Sequence, residues 1–140
     1  MVIGAAGTIS VWTIYLIILI VLVAVWGAWQ WSTVIRRNRV AKVIDEATFQ
    51  AGMRKAQVVD LREKKEFDAG HILGARNIPY STFKAYYKQL RDDLPIYLYD
   101  QSKALSTRAA LILGKDDYKE IYILKSGYAR WQGKTKKTKY

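Results

Sequence analysis

From Val11 to Trp31 the sequence reads VWTIYLIILIVLVAVWGAWQW, with no charge on any side; beyond it, short apolar runs alternate with amphipathic stretches. A helix that is apolar all round has no solvated face and needs an apolar surrounding. At 1.5 Å rise per residue these positions cover about 30 Å, the hydrocarbon thickness of a bilayer. Eleven of them are Val, Ile or Leu, and insertion gains roughly 3 to 7 kcal/mol before Gly27 and Gln30 are set against it. Trp12 and Tyr15 at one end and Trp26, Trp29 and Trp31 at the other suit the two headgroup belts. The pattern predicts a transmembrane helix over residues 11–32, after a short extracytoplasmic segment 1–10. A buried core helix and a cleaved signal peptide are the alternatives. The signal peptide needs a basic stretch ahead of the apolar run, and MVIGAAGTIS offers only its α-amino group. No GxxxG pattern in the span points to helix pairing.

After a basic linker at 33–39, the remaining pattern predicts strands separated by helices. Ala41 to Ile44 reads as a short strand, and Asp45 as the cap of a helix with Phe49 and Met53 on its apolar side. Gln57 to Leu61 is a compact buried strand, followed by a helical turn around Lys64 to Phe67 and a loop punctuated by Gly70 and Gly74. Ala75 to Ile78 is a further strand. Ser81 is expected to cap a helix over Thr82 to Leu90, and Pro95 to open the strand Ile96 to Tyr99. A helix from about Lys103 to Leu113 ends at Gly114, a strand covers Glu120 to Leu124, and a helical turn includes Tyr128 to Trp131. Strands alternating with helices imply a parallel sheet covered on both faces. The tail from Lys134 to Tyr140 (KTKKTKY) is expected to be mobile.

Charge sharpens this picture. All 23 Lys and Arg and all 12 Asp and Glu lie after Ile35, so the net +11 belongs to the later residues. The first cations after the apolar stretch are Arg36, Arg37, Arg39 and Lys42. By the positive-inside rule they hold the following domain in the cytoplasm and leave the N-terminus outside. They are also expected to touch the membrane surface. Cysteine is absent, which removes disulfides, thiolate metal sites and any mechanism that needs a sulfur nucleophile on this chain.

Two stretches carry a resemblance. VVDLREKKEFDAGHILGARNIPYSTF, Val58 to Phe83, supplies Asp60, Arg62, Glu66, Phe67, Gly70, His71, Ile72, Gly74 and Ala75 in the register of a known signature. ILKSGYARW, Ile123 to Trp131, has the form of a closing strand and a Gly-Tyr-x-x-Trp turn. Both closely resemble rhodanese-like domains, over about residues 40–132. The resemblance implies an α/β fold, a five-stranded parallel sheet flanked by helices. From the residues themselves, Asp60 and Arg62 leave a strand end where they can pair or tie down the next loop. Gly70 and Gly74 permit backbone shapes that other residues resist. His71, the one histidine, is expected to make a structural hydrogen bond rather than bind metal.

Active rhodaneses carry a cysteine after the strand corresponding to Ile96–Tyr99, in a loop of the form Cys-x-x-Gly-x-Arg-Ser. Here Asp100, Gln101, Ser102, Lys103, Ala104, Leu105 and Ser106 occupy that loop, with Asp100 at the cysteine, Lys103 at the glycine and Leu105 at the arginine. A carboxylate forms no persulfide, and Leu105 binds no anion. Asp100 is expected to fill the old anion cradle and cap the following helix. An aspartyl-phosphate role is the alternative, and it needs Mg²⁺ held by further carboxylates.

The expectation is therefore a non-catalytic interaction module without cofactor or metal, held at the cytoplasmic membrane face by the bilayer and docked on another membrane or membrane-associated protein. Tyr86, Tyr87, Tyr97, Tyr99, Tyr118 and Tyr128 are candidates for a docking surface, although helical spacing makes several of them core. Binding of anionic lipid or nucleic acid by Lys134, Lys136, Lys137 and Lys139 is a second reading. A sulfurtransferase-related role using a partner's cysteine is a third.

Overall fold

The computed structural model describes residues 7–138. Helix α1 runs from Val11 to Val40, is long and apolar enough to cross a membrane, and buries none of its side chains. It does not stop near Ser32. The segment 33–39, expected as a linker, is helical, because no Gly or Pro interrupts it. Val40 ends the helix against Gly114, where a side-chain Cβ would come within 2.6 Å of Val40 Cγ1.

The rest of the chain belongs to one compact unit, Arg36–Tyr140, which also takes in the last residues of α1. After α1 come β1 (Lys42–Ile44) and α2 (Glu46–Gly52), and Asp45 caps α2 by accepting the Thr48 N–H at 2.8 Å. There follow β2 (Gln57–Asp60), α3 (Lys64–Ala69), β3 (His71–Ile72) and β4 (Arg76–Asn77). The helix expected over Thr82 to Leu90 is only one turn, α4 (Phe83–Tyr86), set between 3-10 turns at Tyr80–Thr82 and Tyr87–Gln89. Ser81 caps nothing. Pro79 initiates the first turn instead, and its carbonyl accepts the Thr82 N–H at 3.1 Å. Then come β5 (Ile96–Tyr99), α5 (Ala104–Gly114), β6 (Ile121–Leu124), a 3-10 turn at Tyr128–Arg130 and β7 (Thr135–Lys136).

Five strands form one parallel sheet in the order β1-β6-β5-β2-β4. Successive side chains of a strand point to opposite faces, and the two faces differ in chemistry. Val59, Ile96, Leu98, Ile121 and Ile123 pack with Ala109 and Leu113 of α5, and with Phe83. Val58, Tyr97, Tyr99 and Leu124 pack with Phe49 of α2 and with Ile72. One core layer is aliphatic and the other largely aromatic. Each fully buried side chain of this size contributes about 1.5 to 3 kcal/mol relative to exposure.

The tail departs from expectation. Thr135 and Lys136 pair antiparallel with Ile72 and His71, the Leu73 N–H reaches the Lys134 carbonyl at 3.0 Å, and the Thr138 N–H reaches the Asp68 carbonyl at 3.0 Å. Residues 134–138 are thus a strap on the loop after α3, not a free tail. Lys139 and Tyr140 lie outside the described residues.

Candidate functional site at the carboxyl edge of the sheet

In an open α/β sheet, ligands are met outside the carboxyl ends of the strands. Asp60 closes β2 and Asp100 follows β5, its neighbour, so the two carboxylates mark this edge. Asp100 is buried and turned toward the start of α5. Its Oδ2 accepts the Leu105 N–H at 3.1 Å; its Oδ1 accepts the Ser106 hydroxyl at 2.6 Å and the Ser106 N–H at 3.4 Å. These are donors that the first turn of a helix otherwise leaves unpaired, and an acidic group there is favoured by the helix dipole. The cradle at this helix start is occupied by a side chain of the protein itself.

The rest of the loop is shaped around that contact. Lys103 precedes α5 at φ −151° and ψ 9°, so the backbone here does not use the positive-φ region that would call for the family's glycine. The Lys103 carbonyl accepts both the N–H and the hydroxyl of Thr107, at 3.0 and 2.8 Å. Leu105 packs into the aliphatic layer instead of facing an anion. Gln101, Ser102 and Ala104 are exposed, and the Ser102 hydroxyl accepts the Ala104 N–H at 3.4 Å.

A second network supports the loop from the β2 side. Asp60 Oδ1 accepts the Arg62 backbone N–H at 2.8 Å, and Arg62 Nη2 donates to Asp60 Oδ2 at 2.9 Å. The same nitrogen donates to the Gly70 carbonyl at 2.6 Å, so one guanidinium ties β2 to the end of α3. Burial works against the Arg62 charge. Hydrogen bonding and attraction to Asp60 outweigh it and raise the guanidinium pKa above its ordinary value. The guanidinium carbon lies 4.0 Å from the centre of the Tyr128 ring, a cation–π contact. Tyr128 in turn donates its N–H to the Asp100 carbonyl at 2.8 Å, and the Ala129 N–H reaches the Gln101 carbonyl at 3.2 Å. The two signature stretches therefore meet at the degenerate loop. Arg62 with Tyr128 was not foreseeable from spacing, since the residues are far apart in the chain.

The other signature residues have separate positions. His71 is buried, its Nδ1 donates to the Phe67 carbonyl at 2.7 Å, and its ring stacks on Phe67 at 3.7 Å between centroids. Gly70 is extended, and a Cβ there would stand 2.9 Å from Tyr128 Oη, so a side chain would have to displace the end of that ring. Gly74 does need positive φ, at +93°. Glu66 is exposed on α3 and is not brought into the site. Arg36, Arg37, Arg39 and Lys42 lie around the end of α1 and the start of β1, away from the Asp100 loop.

Most of the tyrosines proposed for docking are not available. Tyr97, Tyr99 and Tyr118 are buried, Tyr87 and Tyr128 are half-buried, and Tyr86 alone of the six is exposed. Burial, reinforced by the nearby Asp60 charge, pushes the Tyr99 phenol far above its ordinary range. It stays neutral and its oxygen accepts the Ile72 N–H at 3.1 Å. Exposed Leu73 beside half-buried Trp131 and Met53 is an apolar patch that the sequence did not single out.

Similarity to known proteins agrees with this architecture. YqhL of Bacillus subtilis, an uncharacterised protein, is 47% identical over 108 residues, 77% of this chain and 86% of that protein. The thiosulfate sulfurtransferase GlpE of Shewanella oneidensis is 28% identical over 78 residues, 56% of this chain and 77% of GlpE. A rhodanese-related protein from Thermoplasma volcanium has the same fold, with a TM-score of 0.60 at 24% identity over 64% of this chain and 89% of that one. The family model of the rhodanese-like domain matches residues 45–134, from the cap of α2 to the start of the strap, and on that match and this sheet the chain belongs to the rhodanese-like domain family.

Proposed function

We propose that the chain is a membrane-tethered rhodanese-like module that does not itself transfer sulfur and acts by holding a partner at the cytoplasmic face. The observation that carries this reading is the Asp100 carboxylate, which uses the Leu105 and Ser106 donors where a persulfide anion would need them. With no cysteine in the sequence, the chain offers no thiolate to be restored by a change of conformation. The length and apolar character of α1 support the tether, and the arginines that follow it support the cytoplasmic side. The partner is a membrane or membrane-associated protein, docked over the exposed Gln101, Ser102 and Ala104.

Full-length protein mixed with thiosulfate and cyanide is expected to give no thiocyanate above the blank; turnover would sink the reading. A cysteine introduced at Ser10 should react with an impermeant maleimide on intact cells, and one at Lys137 should not. A photo-crosslinker at Gln101 should yield an adduct in native membranes, whereas one at Lys84 should not. Sulfur handling with a partner's cysteine is favoured by one observation, the similarity to a thiosulfate sulfurtransferase. It requires that the Gln101 adduct contain a reactive cysteine.

A further inference from the structure

Arg39, Lys42 and Lys119 converge at the amino-terminal ends of β1 and β6, the edge of the sheet opposite Asp100. With Asn38, Glu120 and Tyr122 they line a cavity of about 310 Å³, at the lower end of the size of small-ligand sites. The ion pairs among the described residues are Asp60–Arg62, Lys64–Asp68 and Arg91–Asp93, so none of these three cations is matched to a carboxylate. Glu120 puts one negative charge in the wall, and three positive against one negative leave the cavity cationic. Arg37 Nε and Nη2 donate to Asn38 Oδ1 at 3.2 and 3.1 Å. That engages the amide oxygen, and among the described residues the Asn38 amide N–H groups donate to no side chain or carbonyl. The lining residues thus bring a guanidinium, two ammonium groups and an amide to this edge, a set suited to an anion with several acceptor oxygens.

We propose that this cavity binds the phosphodiester of an anionic phospholipid headgroup. The inference rests on the membrane tether proposed above, because the cavity begins only seven residues after Trp31, the last aromatic of the apolar stretch. Lys119 separates the proposal from a general attraction of juxtamembrane charge to lipid. It comes from the loop after α5 and joins the cavity only through the fold.

The test uses full-length protein in a neutral maltoside detergent, with retained lipid counted by native mass spectrometry. One phosphatidylglycerol per chain should be kept in preference to phosphatidylcholine by about tenfold or more. Lys42→Ala with Lys119→Ala should weaken retention roughly 25-fold, about fivefold for each cation near a lipid phosphate. Lys119→Arg in place of that alanine, with Lys42→Ala kept, should recover about fivefold of it. Equal retention of the two lipids, or wild-type retention by the double variant, would overturn the proposal. Retention that survives millimolar inorganic phosphate supports the headgroup; displacement by phosphate alone makes the cavity a free-phosphate site and overturns it. Carbonate extraction of membranes reports on the tether separately. A double variant that stays in the pellet but loses phosphatidylglycerol places the effect in the cavity, whereas wild-type protein in the supernatant refutes the tether itself.

Discussion

The Ser106 hydroxyl donates to the Asp100 carboxylate at 2.6 Å, and both residues are buried. This pair joins the end of β5 to the first turn of α5 within the loop that in active relatives carries the nucleophile. Asp100→Ala removes the acceptor and strands the Ser106 hydroxyl and the two N–H groups. Each buried unsatisfied group costs about 1 to 3 kcal/mol, and the loop can relax to wet one of them. The expected loss is about 3 kcal/mol, seen as a fall in Tm of roughly 12 °C or more. Sulfur transfer should be absent before and after. If Asp100→Ala melted with the wild type, the carboxylate would not be the cap that the geometry makes it.

Arg62 holds Asp60, the Gly70 carbonyl and the Tyr128 ring at once. Arg62→Ala leaves the Asp60 charge buried and unpaired, which costs about 3 to 5 kcal/mol. Arg62→Lys keeps the charge but not the fork that spans Asp60 and Gly70, so it should recover less than half of that loss. Denaturant unfolding of the two variants checks both statements. A lysine variant as stable as wild type would reduce the network to a simple charge pair.

Gly127 is at φ +65°, and a Cβ on it would come within 2.3 Å of the Ser102 carbonyl and 2.5 Å of the Gln101 carbonyl. The collision is with backbone, so no side chain can swing away. Gly127→Ala should cost about 2 kcal/mol or more, from the left-handed backbone and the displaced loop together. The Asp100 loop should loosen with it, so the Ala129 amide, held by the Gln101 carbonyl, should exchange faster. Unchanged exchange there would mean that the closing turn does not brace the loop.

The central strands could be read from the sequence because each is a short apolar run ended by a polar residue or turn, as in Gln57 to Asp60 and Ile96 to Tyr99. The Asp45 cap and the Asp60–Arg62 pair were legible for a similar reason: the partners are two or three residues apart. Contacts made only by folding were not. Tyr128 reaches Arg62 from the other end of the domain, and Val40 at the end of α1 lies against Gly114. Ser81 looked like a cap because its residue type suits one, but Pro79 two residues earlier had already set the turn. The strap was illegible because Lys and Thr carry no burial pattern; its pairing is made by backbone groups alone.

The strap also makes a local prediction. Thr135→Pro with Lys136→Pro abolishes the β7 amides and should break the pairing with β3. The Leu73 N–H, bonded to the Lys134 carbonyl, should then exchange at least about tenfold faster. The Ile72 N–H is held by the Tyr99 phenol and should keep its protection. Loss of protection at both amides would show that the strap holds the aromatic layer, not just the loop.

Asp45 gives the pH dependence its sign. Hydrogen bonding from Thr48, helped by the Lys125 charge, holds its carboxyl below the usual carboxylate range. A depressed folded pKa means the ionised cap stabilises the native state above the unfolded value of about 3.9 and loses that effect as pH falls through the folded value. Asn also caps a helix but does not titrate. Asp45→Asn should therefore melt close to wild type near neutral pH, and the small gap between them should move in favour of the Asn protein as pH falls below about 4. The other carboxylates titrate in both proteins and cancel from the difference. Thermal melts of the pair across the acid range measure it directly, and a gap independent of pH would mean that the charge on Asp45 adds nothing to the hydrogen bond it accepts.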